Sequence, residues 1–194
     1  MSEMEHNIRV MLVEDDVFWR ERLFADLNKE TDIEIVKAAS TKLEALEGAG
    51  DLDIDVVLMD INLTENQLDG LETAKELMIA TKSRVKVIML TSLTDKEIIV
   101  RAFQHGAVNY MNKSSFPDIV RAIREAYAGQ ASIHSDAALA MREEIRLMQL
   151  SPSEREIYEL KERGCSRTEI SERLCKSLNT IKTQIRSIRS KILM

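Results

Sequence analysis

Cysteine is scarce in this chain: only Cys165 and Cys175 occur, ten residues apart and without histidine neighbours. That spacing excludes a disulfide framework and fits no metal site, so both are expected to be reduced, partly buried packing residues. Long apolar runs are missing too, and no segment approaches the roughly 20 residues needed to cross a bilayer. The start, Met1 to Asn7, is polar and acidic, where a secretory leader would need a basic stretch and an apolar run. A soluble, cytoplasmic protein with no membrane partner is the expectation. Internal repeats and low-complexity tracts are also absent.

What is present suffices for more than one domain. Hydrophobic residues make up 44% and charged ones 31% of 194 residues, enough for a full core and a second, smaller one. The formal charge of -6 conceals an asymmetry: residues 150–194 carry 10 basic and 6 acidic side chains, against 17 and 27 in residues 1–149. Beyond Glu172, Lys176, Lys182, Arg186, Arg189 and Lys191 have no acidic residue among them. A polyanionic partner is implied for that end only.

Short apolar runs typical of buried strands occur at Ile8–Val13, Ile33–Ala39, Val56–Met59, Val85–Leu90 and Ala107–Met111, each followed by an amphipathic helical pattern. Five such units in a row predict an α/β domain with a five-stranded, doubly wound parallel sheet. Helix starts support this: Thr94 and Glu97 read as a capping box, and Ser115-Phe116-Pro117-Asp118 offers a cap, an early proline and an acid. The domain is expected over residues 1–129. A partly helical linker follows over 130–149, and a small all-α domain over 150–194 opens with capping boxes at Ser151/Glu154 and Ser166/Glu169.

In an open parallel sheet, ligands bind beyond the carboxyl ends of the strands. Here the first run ends in Glu14-Asp15-Asp16, the third in Asp60, the fourth in Thr91 and the fifth in Lys113. Carboxylates crowded at ~4 Å repel by ~4 kcal/mol per pair at an effective dielectric of about 20, a conflict that a hard divalent cation removes. Mg²⁺ accepts one or two carboxylates, a backbone carbonyl and a phosphate oxygen, which makes Asp60 a candidate nucleophile toward phosphorus. Thr91 can donate its hydroxyl, and Lys113 can pair with a phosphoryl oxygen. Taken singly, each residue reads first as a solvated cap or a surface lysine; their joint arrival at the strand ends reverses that order and favours the site.

On the last helix, Ile181, Ile185, Ile188 and Ile192 form one buried stripe resting on Ile157, Leu160, Ile170 and Leu174. The opposite face holds Thr183, Arg186 and Ser190 with Lys182 and Ser187 on its flanks, a surface suited to phosphates and base edges. No aromatic residue interleaves with it, so from charge alone a solvated helix in a small bundle is an equal reading.

The stretches Val13-Glu14-Asp15-Asp16, Met59-Asp60-Ile61-Asn62-Leu63, Leu90-Thr91-Ser92 and Gly106 to Lys113 resemble the motifs of response-regulator receiver domains over about residues 8–128. The resemblance implies that Asp60 is phosphorylated by a sensor histidine kinase. It implies Mg²⁺ held by Glu14, Asp15, Asp60 and the main-chain carbonyl of Asn62, with Asp15 the more direct ligand. Thr91, Tyr110 and Lys113 become the switch residues. The chain would then be no enzyme beyond assisting its own phosphorylation and dephosphorylation. A phosphohydrolase working through an aspartyl phosphate is the enzymatic alternative, but it calls for a second acid where Asn62 stands. The loop departs from the family, with Thr64 in place of a proline four residues after Asp60 and Gly70 at ten residues instead of about eight. Lys113 is followed by Ser114 where a proline is common.

Residues 150–193 are similar to the LuxR-type helix-turn-helix of NarL/FixJ-class regulators. Carried over, Lys182, Thr183 and Arg186 face bases of double-stranded DNA, with Lys176, Arg189 and Lys191 nearer the backbone, in a protein that is a homodimer when active. Members usually continue into a fourth helix with dimer contacts, and the sequence ends at Met194 before one; a shortened chain or pairing through the first domain accounts for that. Docking of these helices on a protein such as RNA polymerase is the alternative partner.

Overall fold

The computed structural model describes residues 7–64, 68–91, 95–130 and 132–192. The chain divides into two compact units, Met1–Ala140 and Met141–Met194. The division falls within the stretch read as a linker.

The first unit alternates strand and helix: β1 Ile8–Val13, α1 Val17–Leu27, β2 Ile33–Ala39, α2 Lys42–Asp51, β3 Val56–Asp60, α3 Asp69–Ala80, β4 Lys86–Thr91, α4 Lys96–Gln104, β5 Ala107–Asn112 and α5 Phe116–Tyr127. All pairings are parallel, in the order β2-β1-β3-β4-β5. The order reverses at β1, so the carboxyl ends of β1 and β3 adjoin at the switch point where open sheets bind ligands.

The strands are predominantly apolar, and β3 is wholly buried, because both sheet faces are covered. With a side-chain period of two, Met11, Val13, Val57, Met59, Val87 and Met89 join a core with Leu71, Ala74 and Leu77 of α3 and Ile99 of α4. Val10, Leu12, Val56, Leu58, Ile88 and Leu90 pack on the other side against Leu23 and Leu27 of α1 and Ile119 and Ile123 of α5. Each fully buried Leu or Ile contributes roughly 1.5–3 kcal/mol, so this two-sided packing fixes the strand ends that carry the polar residues. Beyond α5 the chain is fastened back: the Ser132 hydroxyl donates to Glu125, and His134 N–H donates to Oδ1 of the buried Asn109 at 2.9 Å.

Two helix starts differ from the reading. Asp95 is the N-cap of α4, its carboxylate accepting from Glu97 and Ile98 N–H; Thr94, proposed as that cap, and Ser92 lie outside the described residues. Ser115 is the N-cap of α5, but its hydroxyl donates to Asp118 and caps no backbone N–H.

The helix α6 (Ser135–Leu147) crosses the division, with Ala137 and Ala140 in the core of the first unit and Leu147 in that of the second. Three helices follow: α7 Pro152–Glu162, α8 Arg167–Arg173 and α9 Leu178–Ile192. Both predicted capping boxes are formed. Gly164, at φ +83°, ends α7 by a paired closure in which Cys165 N–H donates to Leu160 O and Gly164 N–H to Lys161 O. Ile157, Ile170, Ile181, Ile185 and Ile188 form the small core, with Leu160, Leu174 and Ile192 packed on it. Cys165 is half-buried as expected, whereas Cys175 is exposed. It occupies the turn between α8 and α9 in a left-handed conformation, φ +49°, which carries its side chain off the core.

Candidate functional site

Glu14 follows β1, Asp60 ends β3 and Lys113 follows β5, all three buried. The Lys113 ammonium lies 2.6 Å from Glu14 Oε2 and 3.0 Å from Asp60 Oδ1. Asp15, more open to solvent, completes a group whose carboxylate oxygens lie within 4.8 Å of one another. Two buried acids thus contact one lysine, with a third acid beside them. Asp16, next along, is not part of the cluster: it is the N-cap of α1, accepting from Trp19 N–H at 3.1 Å.

Burial and the neighbouring Asp60 push the Glu14 carboxyl up to about 7, against the opposing pull of Lys113. Asp60 is also raised by burial, with Lys113 again opposing. Asp60 Oδ1 is steadied by Ile61 N–H at 2.8 Å, and Glu14 Oε1 by Asp16 N–H at 3.3 Å. Glu14 Oε2 is buried and has no hydrogen bond of good geometry among the described residues, despite the nearby ammonium. An orphaned carboxylate oxygen beside two more carboxylates is the donor set of a hard cation that favours oxygen.

Arg20, which sequence reasoning missed, holds this acidic turn from behind. Its guanidinium donates to the carbonyls of Glu14 at 2.8 Å and Asp15 at 3.0 Å. Its place on α1, one turn beyond the Asp16 cap, was the available signal. Thr91 is buried at the end of β4, and its carbonyl accepts from Lys113 N–H at 3.1 Å. Tyr110 is buried in β5 at 1% exposure, its ring turned inward. Asn62 lies in the loop after β3, its side-chain oxygen accepting from Leu68 N–H at 3.3 Å. The loop ends at Gly70, where a Cβ would sit 1.9 Å from the Asp60 carbonyl oxygen.

The cationic residues of the second unit separate into two groups. Lys182, Thr183, Arg186 and Arg189 are exposed on α9, and the Thr183 hydroxyl donates back to Asn179 O at 3.0 Å. Lys191 is turned inward onto Glu154 at 2.6 Å, and Lys176 donates to the Ser153 hydroxyl. Ser187, read as a flank of the cationic face, is half-buried and donates to Glu154 Oε1 at 2.6 Å. The buried Glu154 carboxylate near the start of α7 engages both Lys191 and Ser187, which draws them toward α7.

Parallel sheet, switch-point acids and strand-end lysine together define a phosphoacceptor domain. Residues 10–124 match the response regulator receiver domain, and the chain belongs to the response regulators. It is similar to the transcriptional regulatory protein LiaR of Bacillus subtilis, 34% identical over 95% of this chain and 90% of LiaR. It is also similar to the response regulator protein VraR of Staphylococcus epidermidis, 29% identical over 95% of this chain and 90% of VraR. A solved structure of two RcsB dimers bound to two parallel DNAs shares the fold, with a TM-score of 0.71 over 96% of this chain and 92% of that one, at 22% identity.

Proposed function

We propose that this chain is a cytoplasmic two-component transcription regulator in which phosphorylation of Asp60 by a sensor histidine kinase controls binding of double-stranded DNA by α8 and α9. The carrying observation is the Lys113 ammonium lying between the buried carboxylates of Glu14 and Asp60, with Asp15 beside them. Among the described residues no helix is long and apolar enough to cross a membrane.

Glu14, Asp15, Asp60 and the Asn62 carbonyl are the residues that would hold Mg²⁺, which supplies charge neutralisation at the phosphoryl oxygens when bound. Asp60 attacks phosphorus through one carboxylate oxygen as the bond from phosphorus to the donor's imidazole nitrogen breaks, and the imidazole leaves with that electron pair. Lys113 then exchanges its carboxylate contact for a phosphoryl oxygen. Thr91, one strand away, donates its hydroxyl to the same group, and the space vacated under β4 and β5 favours a second packing of Tyr110. Such a rearrangement is a bistable packing element biased by local charge. The exposed Lys182, Thr183 and Arg186 are the candidate base contacts, in a homodimer like that named for RcsB on DNA.

Incubation with a small phosphodonor and Mg²⁺, followed by intact-mass measurement, tests the first half of this reading. The wild type should gain one phosphoryl group and Asp60→Asn none; an equal adduct on both would move the phosphoacceptor elsewhere.

A further inference from the structure

The loop between Asp60 and Gly70 is longer than the family pattern and lacks its proline, yet it is closed by its own hydrogen bonds. Asp69, the first residue of α3, reaches back across it. Its Oδ1 accepts from Leu63 N–H at 2.8 Å and Thr64 N–H at 3.3 Å, and its Oδ2 accepts from the Thr64 hydroxyl at 2.8 Å. Gly70 N–H donates to Ile61 O at 2.9 Å, fixing the start of α3 to the residue after Asp60. The carboxylate is well placed for this, because the first turn of a helix favours negative charge.

From these contacts we infer that Asp69 is a positioning residue for the metal site, acting through one peptide plane. Leu63 N–H and Asn62 C=O belong to the same trans peptide, and in such a plane they point in opposite directions. Anchoring the N–H on Asp69 therefore turns the Asn62 carbonyl away from α3. The Asn62 side chain, holding Leu68 N–H, keeps the loop from twisting about that plane. In this chain a carboxylate does by hydrogen bonding what the missing proline would do by fixing a dihedral angle. The inference rests on the metal reading given under the proposed function, and it adds to it the residue that aims the one ligand that is not a carboxylate.

The test is calorimetric titration of the full chain with MgCl₂, far below the melting temperature. Asp69→Ala should weaken Mg²⁺ binding about 10-fold, the low end of what loss of a ligand-orienting partner costs. Asp69→Asn, which retains an acceptor oxygen for Leu63 and Thr64, should stay within about threefold of wild type, and Thr64→Val, which leaves the Leu63 bond intact, within about twofold. Wild-type affinity in Asp69→Ala overturns the inference alone. So does an Asp69→Asn as weak as Asp69→Ala, which would point to charge, or a Thr64→Val equally weak, which would point to loop compaction. A wild-type protein that binds no Mg²⁺ overturns the metal reading together with the inference. Should Asp69→Ala not fold, Asp69→Glu keeps the charge, displaces the oxygens by one methylene and carries the same expected weakening.

Discussion

Lys113 Nζ lies 2.6 Å from Glu14 Oε2, with both side chains buried at 7% and 1% exposure. One ammonium thereby balances part of the charge of two buried carboxylates, since Asp60 Oδ1 is 3.0 Å away on its other side. Removing it leaves those acids facing each other across a site of low dielectric. Breaking a buried pair costs about 3–5 kcal/mol when the survivor stays charged, and here proton uptake by Glu14 relieves part of it. Lys113→Ala should therefore melt lower than wild type in the absence of divalent cations. Mg²⁺ supplies the missing positive charge, so its stabilising effect should be larger in the variant. Calorimetry with and without MgCl₂ checks this, and equal shifts in the two proteins would show that Lys113 is not the main counter-ion.

Gly70 has no room for a side chain. An added Cβ would stand 1.9 Å from Asp60 O and 2.8 Å from Ile61 O, both backbone atoms. The helix cannot back away, because Gly70 N–H is bonded to Ile61 O. Gly70→Ala should cost about 1–3 kcal/mol of stability, the usual range for overpacking, and slow phosphorylation of Asp60. Urea unfolding and the mass assay measure the two effects. A variant as stable as wild type would mean that α3 begins farther from β3.

Glu154 gives the second unit a pH dependence. Lys191 first, then Ser187 and Ser151, hold its carboxyl down at about 2 against an ordinary 4.5. The folded state thus binds fewer protons than the unfolded one in that interval. The contribution to stability is complete above the ordinary value and is lost as pH falls through the folded one. The protection factors of α9 amides, that is hydrogen exchange corrected for the intrinsic rate at each pH, should fall in wild type from about pH 5 down to about pH 2.5. Glu154→Gln should begin less protected and change less across the same range. Parallel curves for the two proteins would assign the acid loss to other carboxylates.

Much of this arrangement is legible in the chain itself. The strand runs at Ile8–Val13 and Ile33–Ala39 coincide with β1 and β2, and the other three lie within one residue of theirs. Short, predominantly apolar runs bounded by polar residues and followed by helical patterns leave little choice. The caps at Ser151 and Ser166 were readable because their partners lie three residues away. Contacts made at a distance were not. Ser187 and Lys191 lie 33 and 37 residues from Glu154, and helical periodicity alone assigns them outward. Arg20 is a nearer case: its position one turn beyond the Asp16 cap places it beside the acidic turn, but which carbonyls its donors meet, those of Glu14 and Asp15, is settled only in the fold. That Asp60, Glu14 and Lys113 come together is legible because strand ends converge by topology, whereas the direction of a polar side chain is settled by tertiary neighbours.

The division of cations on and around α9 makes a prediction that separates the proposed partners. Lys182 and Arg186 are exposed, while Lys191 is engaged by Glu154 at 2.6 Å. Each cation that neutralises a phosphate contributes about -0.9 to the slope of log affinity against log salt. For duplex DNA, Lys182→Ala and Arg186→Ala should each weaken binding, with the slope flattened by about 0.9 where the lost contact was to a phosphate and unchanged where it was to a base edge. Lys191→Ala should leave the slope as it is and instead lower the melting temperature, because it leaves the Glu154 carboxylate without its ammonium. Fluorescence anisotropy on phosphorylated protein over a salt series, with thermal melts in parallel, reads both effects. A flat salt response in the wild type would transfer the cationic face from DNA to a protein surface such as RNA polymerase. A slope change confined to Lys191→Ala would mean that the contact with Glu154 opens on binding.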